Sequence, residues 1–415
     1  MAGEWIECAL ADACSSIDYG LTASAANHDA GPKFLRITDI VSGHIDWNAV
    51  PHVAANEEIA AKYRLHDGDI VLARTGASTG ASAYVKNPPA SVFASYLVRL
   101  KAKPAFDPRF VAYYLKSEDF WTFIRGVLGD KSAQPNASAS TMTKAPLRAP
   151  KDKDEQRAIA HILGTLDDKI ELNRRMNETL EAMARTLFKS WFVDFGPVHA
   201  KAEGRDPGLP KPVADLFPDS FEDSELGEIP EGWEIGAVGD HMANFDSKRV
   251  PVSGAERAKR QGEYPYHGAA GVMDYVDDYL FDGIYLLVGE DGSVVQSNGI
   301  AVTQYVWGKL WVNNHAHVLQ GEASVSTEQL YLYFQFASVV PYVTGAVQPK
   351  LSQGRMNTMP FVFAGAGVCG TFAKMVQPLF AKLRANTDMN KTLAVMRDTL
   401  LPQLISGELR VKAAA

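Results

Sequence analysis

The chain lacks the features that mark several large protein classes. Its 415 residues include three cysteines, Cys8, Cys14 and Cys369. This set is too small and too irregular for a disulfide framework or a zinc ligand set, so we expect a reducing, cytoplasmic compartment. No apolar run reaches the ~18 residues of a membrane span, and no basic segment followed by an apolar one opens the chain. We therefore expect neither a membrane partner nor a secretory signal.

Signatures of catalysis are also scarce. The sequence contains no Glu-x-Lys pattern of metal nucleases and no phosphate-binding Gly-x-x-x-x-Gly-Lys-Ser/Thr loop. Residues 87–90 approach the Asn-Pro-Pro-aromatic motif of amino-methyltransferases but lack the aromatic residue that stacks on a flipped base. Residues 363–367 approach a Phe-x-Gly-x-Gly loop, yet no clear acidic partner follows. We interpret the two segments as a proline turn and a small-residue loop, and we predict no catalytic residue in this chain.

A metal site is not expected either. His315 and His317 could place two ligands on one face of a strand. No carboxylate or cysteine cluster surrounds them in the sequence, so we predict no metal. Asn313 and its neighbours are better suited to hydrogen-bond bases or to shape a loop.

Charge does not decide the partner. The net charge is −8, but residues 206–234 alone carry nine acidic side chains and one basic one. The rest of the chain is therefore close to neutral, and a basic face on either half would not be visible in the sequence.

The strongest positive feature is an internal repeat. With a shift of 213 residues, ten of the 22 positions from Leu166 to Leu187 are identical in the second half. Upstream, Gln134 falls on Gln348, and the apolar stretch at 68–72 falls near 282–286. Two copies of one module predict pseudo-twofold symmetry, which suits a nearly symmetric target such as duplex DNA.

Each copy ends in a long amphipathic helix with heptad-like spacing. Buried asparagines in such a stripe fix the register because slipped pairings leave them without partners. The helix length, about 45 Å for roughly 30 residues at 1.5 Å each, indicates that each helix needs a partner. The other helix is the first choice, and two ordinary core helices in separate bundles are the alternative. The predicted interface residues are Leu166, Ile170, Asn173, Asn177, Leu180, Leu187, Leu379, Leu383, Asn386, Asn390, Leu393 and Leu400.

Several segments, in the right order, resemble one family. Residues 156–163, 166–173 and 187–195 resemble the central conserved region of type I restriction–modification specificity subunits. Residues 226–233 are similar to the usual entry into the second target-recognition domain, and residues 264–269 with 286–293 to the core of one type of that domain. Residues 400–409 resemble the usual ending. The resemblance covers essentially the whole chain.

The resemblance implies a mixed α/β (α+β) fold with two target-recognition domains, each followed by a long helix. It also implies that the helices pack as an antiparallel coiled coil with pseudo-twofold symmetry. We expect the first domain at 1–153, the central helix at 154–195, the second domain at 233–367 and the C-terminal helix at 368–415. Proline, glycine and acidic residues predict a linker at 196–232.

The same resemblance implies a function without catalysis. Such a subunit reads a bipartite, asymmetric site in double-stranded DNA and positions two methyltransferase subunits for adenine methylation, and two restriction subunits can join to cut DNA. S-adenosylmethionine, ATP and Mg²⁺ would then sit on the partner subunits, and no cofactor on this chain. A stand-alone adenine methyltransferase, a coiled-coil scaffold that does not bind DNA, and a related system with fused methylase and nuclease remain alternatives.

Base readout requires hydrogen-bonding side chains on loops that enter a groove, and phosphates require cations. In the first half the best candidates are the glycine-rich loop at 74–80 and the polar stretch after 130; in the second half they are the equivalent loops and a basic cluster. The predicted DNA-binding residues are Arg74, Thr75, Ser78, Thr79, Lys131, Gln134, Lys248, Arg249, Lys259, Arg260, Ser293, Asn313, Gln348, Lys350, Gln353 and Arg355.

Four aromatic residues at the end of the first helix, Phe188, Trp191, Phe192 and Phe195, exceed what one helix seam needs. We predict that they help to dock a methyltransferase subunit or the linker. Packing against their own recognition domain is the alternative.

Overall fold

The computed structural model describes residues 4–26, 31–41, 43–129, 136–345 and 347–411. The chain forms two compact units. Unit 1 comprises residues 1–172 and 389–415, and unit 2 comprises residues 173–388.

Unit 1 contains eight strands and four short helices in its described residues, together with parts of two long helices. The strands are β1 (Trp5–Ala9), β2 (Cys14–Tyr19), β3 (Lys33–Leu35), β4 (Ile70–Ala73), β5 (Ser82–Tyr84), β6 (Ser91–Phe93), β7 (Leu97–Ala102) and β8 (Pro146–Pro150). The helices are α1 (Glu57–Tyr63), α2 (Pro108–Tyr114), α3 (Glu118–Leu128), α4 (Ala139–Met142) and the first part of α5 (Lys153–Phe192), with 3₁₀ turns at Leu10–Ala13 and Ile37–Asp39.

Unit 2 holds the remaining elements. Its helices are α6 (Gly196–Ala202), α7 (Lys211–Ala214), α8 (Gly254–Arg257), α9 (Thr327–Tyr333), α10 (Gln353–Asn357) and the first part of α11 (Gly365–Ser406), with 3₁₀ turns at Val238–His241, Asp246–Lys248 and Val340–Tyr342. Its strands are β9 (Phe221–Ser224), β10 (Gly227–Pro230), β11 (Glu234–Ala237), β12 (Met242–Asn244), β13 (Gln261–His267), β14 (Val272–Val276), β15 (Phe281–Gly289), β16 (Thr303–Val312), β17 (Ala316–Gly321) and β18 (Pro360–Phe363).

The two units share one sheet topology. The central sheet of unit 1 has the antiparallel order β2-β7-β4-β5, and the sheet of unit 2 has the order β12-β17-β15-β16, to which β13 and β14 are added. Strand β13 joins through a parallel pairing with β16. Each unit also has a two-stranded antiparallel sheet, β1 with β8 and β11 with β18. The sequence repeat is therefore a repeat of fold.

Strands β4 and β15, in the middle of the two sheets, contact apolar cores on both faces, which explains their apolar runs. In β4, Ile70 and Leu72 pack into a core with α2, whereas Val71 and Ala73 pack into a second core on the other face. This is the alternation expected of side chains along a strand. Strand β15 divides in the same way, with Leu286 in the larger core and Leu287 in a separate one.

Each unit contains an antiparallel pair formed by segments of α5 and α11. In unit 1 the Asp167 carboxylate accepts from Arg397 at 2.8 Å, and further along α5 the Ile170 oxygen accepts from Asn390 at 3.3 Å. Positions rise along α5 as they fall along α11, so the segments run in opposite directions. In unit 2, Asn177 donates to the Leu383 oxygen at 3.2 Å. The predicted fold class is confirmed, and the predicted interface residues are all buried or half-buried.

Residues 196–232, which we predicted to be a linker, are a folded part of unit 2. They form α6, α7 and the β9–β10 hairpin, and Phe217 is 2% exposed. Prolines at the first turn begin α6 and α7, because proline fits that position without losing a helical hydrogen bond. The linker prediction was wrong because a few apolar residues of this acidic segment are buried in the core of unit 2.

The aromatic residues at the end of α5 pack within unit 2. The Trp191 and Phe217 rings lie 4.9 Å apart in a T-shaped contact, and the Phe188 and Phe336 rings stack at 5.6 Å. Trp191 is 1% exposed. These residues therefore pack against the 196–232 segment, one of the two partners that we predicted, and against the rest of unit 2 rather than the preceding recognition domain. Burial leaves Phe188, Trp191 and Phe192 little surface for a methyltransferase subunit.

Candidate nucleic-acid interface

In unit 1 the structure brings two predicted base-reading stretches together. The loop at 74–80 follows β4, and its first residue, Arg74, accepts a backbone hydrogen bond from Ala137 at 3.0 Å. Thr75 and Asn136 form an isolated antiparallel bridge. Two predicted readers in the second stretch, Lys131 and Gln134, lie outside the described residues.

Two exposed tyrosines frame this loop. The Arg74 guanidinium lies 4.9 Å from the centre of the Tyr19 ring, and the Tyr19 hydroxyl accepts from the Ala139 backbone at 3.1 Å. Tyr96 is 60% exposed, and its main-chain oxygen accepts a hydrogen bond from the Arg74 backbone at 3.1 Å. Sequence reasoning missed both tyrosines, whose only signal was an aromatic residue at the end of a strand.

Of the threonine and serine side chains in this loop that we predicted to contact DNA, two are accessible and one is buried. Thr75 and Ser78 are half-buried, so both remain accessible. Thr79 is 2% exposed, and its hydroxyl donates to the Gly76 oxygen at 2.7 Å. The Thr79 side chain therefore closes the turn in this conformation, and its contact with DNA stays a prediction.

Unit 2 repeats the arrangement with different side chains. The loop at 290–293 follows β15, the counterpart of β4. The Glu290 oxygen accepts from the Leu351 backbone at 2.9 Å, and Gly292 donates to Pro349 at 3.0 Å. The second predicted stretch is thus held against the first, as in unit 1. The Gln348 amide nitrogen also donates to Asp291 at 2.8 Å.

An open cleft of about 510 Å³ adjoins these loops. The cleft is lined by residues 268–273, which form the turn after β13 and the start of β14, and by Asp291, Ser293, His315 and Gln348. Ser293 and Gln348 are exposed, and the His315 side chain is 45% exposed.

Asn313 does not reach this surface. It is 4% exposed, and its side-chain oxygen accepts from the His315 backbone at 2.8 Å. The side chain shapes the turn before β17, the second of the two roles that we considered for it, and its contact with DNA stays a prediction.

The predicted basic cluster is largely neutralised. Arg249 donates to Glu290 and to the Ala316 oxygen, both at 2.7 Å. Its side chain is 12% exposed and its guanidinium is held by these groups, whereas its contact with phosphate stays a prediction. Arg260 pairs with Asp277 at 2.9 Å and remains partly exposed.

Several predicted cations of the second half remain accessible. Lys248 and Lys259 are exposed, and the Lys350 nitrogen lies 3.5 Å from a Glu290 oxygen while its side chain stays 50% exposed. Gln353 and Arg355 are exposed on α10, the short helix that comes directly after the stretch bonded to the 290–293 loop. Lysines at these places suit phosphates, which position a protein without specifying sequence.

A buried charge cluster lies behind the 290–293 loop. Ligand atoms of Asp246, Glu290 and His317 lie within 4.8 Å of one another. Arg249 contacts both carboxylates, at 3.3 Å from Asp246 and 2.7 Å from Glu290. The donor set therefore fits a metal ion poorly, because a guanidinium already stands where a cation would bind.

The histidine of this cluster is fixed at both ring nitrogens. His317 is fully buried, with Nδ1 2.5 Å from Asp246 and Nε2 2.8 Å from the Leu351 oxygen. Burial alone would raise the pKa of Asp246, but the His317 contact and the Arg249 charge outweigh it and the pKa is lowered. The cluster thus ties β17 and Leu351 to the base of the predicted reading loop.

The two methyltransferase-like segments have structural roles. Asn87 has φ of 43°, and its backbone donates to Asp67 at 2.8 Å in the turn between β5 and β6. Gly365, with φ of 78°, begins α11 after β18. The two segments belong to different units.

Among the described residues, none of the helices combines the length and apolar character required to cross a membrane.

Comparisons with known proteins agree on one family. Residues 22–182 and 230–362 match the type I restriction modification DNA specificity domain. The chain is 28% identical to the type I restriction enzyme MjaIX specificity subunit of Methanocaldococcus jannaschii over 73% of this chain and 69% of that one. It is 25% identical to the HindI specificity subunit of Haemophilus influenzae over 84% and 88% of the two chains.

A solved structure shares the fold. The crystal structure of a type I restriction–modification S subunit from M. genitalium aligns with a TM-score of 0.56 and 16% identity, covering 97% of this chain and 96% of that one. The family match itself covers more than half of the chain. The chain therefore belongs to the family of type I restriction–modification DNA specificity subunits.

Proposed function

We propose that units 1 and 2 each read one half of a bipartite, asymmetric DNA target and that this chain positions two methyltransferase subunits on it for adenine N6 methylation. The observation that carries the proposal is the repeated loop pairing. In each unit the loop after the central strand, β4 or β15, is bonded to the stretch near residue 136 or 350.

The half-sites should differ because the side chains at equivalent places differ. Arg74 and Thr75 begin the loop in unit 1, whereas Glu290 and Asp291 begin it in unit 2. An arginine at the start of the loop pairs best with guanine, and unit 2 has carboxylates at the equivalent places. Different groups on one scaffold favour an asymmetric target.

The helices would set the distance between the half-sites. Asn177 and Asn390 each donate across the helix pair to a main-chain oxygen, so a shift along the seam would break these bonds. A fixed register favours a fixed spacer in the target. The S-adenosylmethionine would bind the methyltransferase subunits, and ATP and Mg²⁺ would serve restriction subunits where these join.

A non-catalytic role is supported by the two methyltransferase-like segments, since one forms a turn and the other begins a helix. The alternative of a stand-alone methyltransferase predicts that the isolated chain binds S-adenosylmethionine and methylates DNA. The alternative of a scaffold predicts no salt-dependent binding to duplex DNA.

The test is co-expression of this chain with the methyltransferase subunit encoded beside its gene, followed by mapping of methylated adenine in the host genome. We expect one bipartite motif that disappears when this chain is omitted. Exchange of residues 1–150 for those of a relative should change one half of the motif only. Methylation by this chain alone would establish the enzyme alternative, and loss of both methylation and duplex binding in the mixture would favour the scaffold.

A further inference from the structure

Gln348 stands at the edge of the open cleft in unit 2 with its amide held by Asp291. Its side chain is exposed, and Nε2 lies 2.8 Å from Oδ1 of Asp291. The second oxygen of Asp291 lies 3.8 Å from Nδ1 of His315. Both Gln348 and Asp291 line the cleft.

This contact fixes which end of the amide points outward. An ionised carboxylate only accepts hydrogen bonds, so the Gln348 group facing Asp291 must be the NH₂. The Gln348 oxygen therefore faces away from Asp291. Rotation of the amide by half a turn would place two acceptors against each other, which disfavours the reversed orientation.

The segment that carries Gln348 is fixed by backbone bonds on two sides. Thr344 and Lys350 exchange backbone hydrogen bonds of 2.9 and 2.7 Å, and Gly292 donates to Pro349 at 3.0 Å. Gly345 has φ of 86°, a conformation that suits glycine and closes the turn before Gln348. The amide is thus presented from a preformed loop, as a reader of base edges needs.

The cleft wall leaves space for a base edge. Gly268, Gly271 and Gly292 line it without side chains, and a Cβ atom at Gly271 or Gly292 would meet nothing within 4 Å. The major-groove edges of bases differ in their donors and acceptors. Adenine offers an amino group beside an acceptor, guanine offers two acceptors, and thymine offers an acceptor and a methyl group.

We propose that Gln348 is a specificity-determining residue that reads an adenine in the half-site bound by unit 2, and that Asp291 is its positioning residue. The outward oxygen accepts from the adenine amino group, and the second amide hydrogen donates to the neighbouring ring nitrogen. Guanine is rejected because its oxygen would face the amide oxygen. This inference rests on the proposed function, since it assumes that unit 2 reads DNA.

The test uses the full complex of this chain with its methyltransferase subunit and maps methylated adenines genome-wide. Gln348→Ala should keep the first half-site and relax one position of the second, which holds an A·T pair in the wild-type motif. Discrimination there should fall by about tenfold or more, the usual contribution of one bidentate contact. Asp291→Asn should admit guanine at the same position, because an asparagine can donate to the Gln348 oxygen and allow the amide to turn.

Gln261→Ala is the matched control. Gln261 is also exposed and donates to an aspartate, Asp274, at 3.1 Å. Gln261 does not line the cleft, so its variant should leave the motif unchanged.

An unchanged motif in Gln348→Ala, or relaxation at a G·C pair, would overturn the adenine assignment. Relaxation in Gln348→Ala without any change in Asp291→Asn would overturn the positioning role. If the wild-type complex itself gives no bipartite motif, the proposed function fails first, so the two failures are distinguishable. Thermal unfolding of each variant complex should match the wild type, because both substituted side chains lie at an exposed loop.

Discussion

The side-chain nitrogen of Asn177 donates a hydrogen bond of 3.2 Å to the main-chain oxygen of Leu383. The shift of 213 residues carries Asn177 onto Asn390 and relates Leu383 to Ile170. Asn390 donates to the Ile170 oxygen at 3.3 Å, so the same bond occurs once in each unit. Both copies of the sequence therefore use the same polar contact to fix the register of the helix pair.

Asn177 should be costly to remove. It also donates to Thr387 at 3.0 Å and accepts from Asn386, which is 1% exposed, at 2.9 Å. Asn177→Ala leaves the buried Asn386 amide without this acceptor, so we expect the free energy of unfolding to fall by about 2 kcal/mol. Chemical denaturation measures this free energy. Met183→Ala on the exposed face of α5 should change it by no more than about 0.5 kcal/mol, and equal losses in the two variants would contradict a polar seam.

Phe217 should behave as a core residue although it lies in the acidic segment. Its ring meets Trp191 at 4.9 Å and is 2% exposed. Phe217→Ala should lower the free energy of unfolding by about 3–5 kcal/mol, as expected for a buried phenylalanine. The neighbouring Leu216, which is 40% exposed, gives the control Leu216→Ala, with an expected loss well below that of Phe217→Ala. If Phe217→Ala left the free energy of unfolding unchanged, residues 196–232 would be a linker after all.

The sequence predicted the features that repeat or recur with a period. The helix pair follows from identities and heptad spacing. With 40 residues, α5 is longer than the roughly 30 estimated from the spacing and close to the 154–195 that the resemblance implies. The 196–232 segment was misjudged because proline and acidic residues dominate its composition, whereas its fold depends on a few apolar side chains such as Val198 and Phe217.

The loops of the candidate interface were predictable as units, but individual side chains were not. Loop positions follow from the repeat, whereas the state of a side chain depends on partners far along the chain. Arg249 meets groups 41 and 67 residues away, Glu290 and the Ala316 oxygen. No local pattern indicates such contacts, so a buried arginine looked like a phosphate ligand.

Arg249 and its neighbour Lys248 should therefore respond differently to truncation. Arg249→Ala leaves Asp246 and Glu290 without their guanidinium partner, and we expect a loss of about 3–5 kcal/mol in the free energy of unfolding. Lys248→Ala should leave stability within about 0.5 kcal/mol, because the side chain is exposed. Chemical denaturation of both variants measures this difference.

Binding of duplex DNA by the complex tests whether Lys248 contacts a phosphate. If Lys248 contacts a phosphate, Lys248→Ala weakens binding to all sequences alike and reduces the salt slope by about 0.9. Ser247→Ala, on the neighbouring exposed residue, is the control for a local change without loss of charge. An unchanged slope in Lys248→Ala would remove this lysine from the interface.

Asp167 should make the stability of unit 1 depend on pH. Its carboxylate accepts from Arg397 at 2.8 Å and from the Tyr113 hydroxyl at 2.7 Å, and Lys116 lies 3.8 Å away. Burial by itself would raise the pKa of Asp167, but the Lys116 charge and the two hydrogen bonds outweigh burial and hold it below 3.8. The stabilisation is therefore present at neutral pH and is lost as the pH falls through the lowered pKa.

Asp167→Asn removes this charge with little change of shape, so we expect a loss of about 2 kcal/mol in the free energy of unfolding at pH 7. Because the wild-type carboxylate becomes protonated in acid, the difference between the two proteins should shrink as the pH is lowered below about 4. Urea denaturation from pH 7 to pH 3 measures it. Glu7→Gln, at an exposed pair with Arg148 3.8 Å away, should stay within about 0.5 kcal/mol throughout. A loss for Asp167→Asn that stays constant with pH would mean that packing, rather than charge, explains the contribution of Asp167.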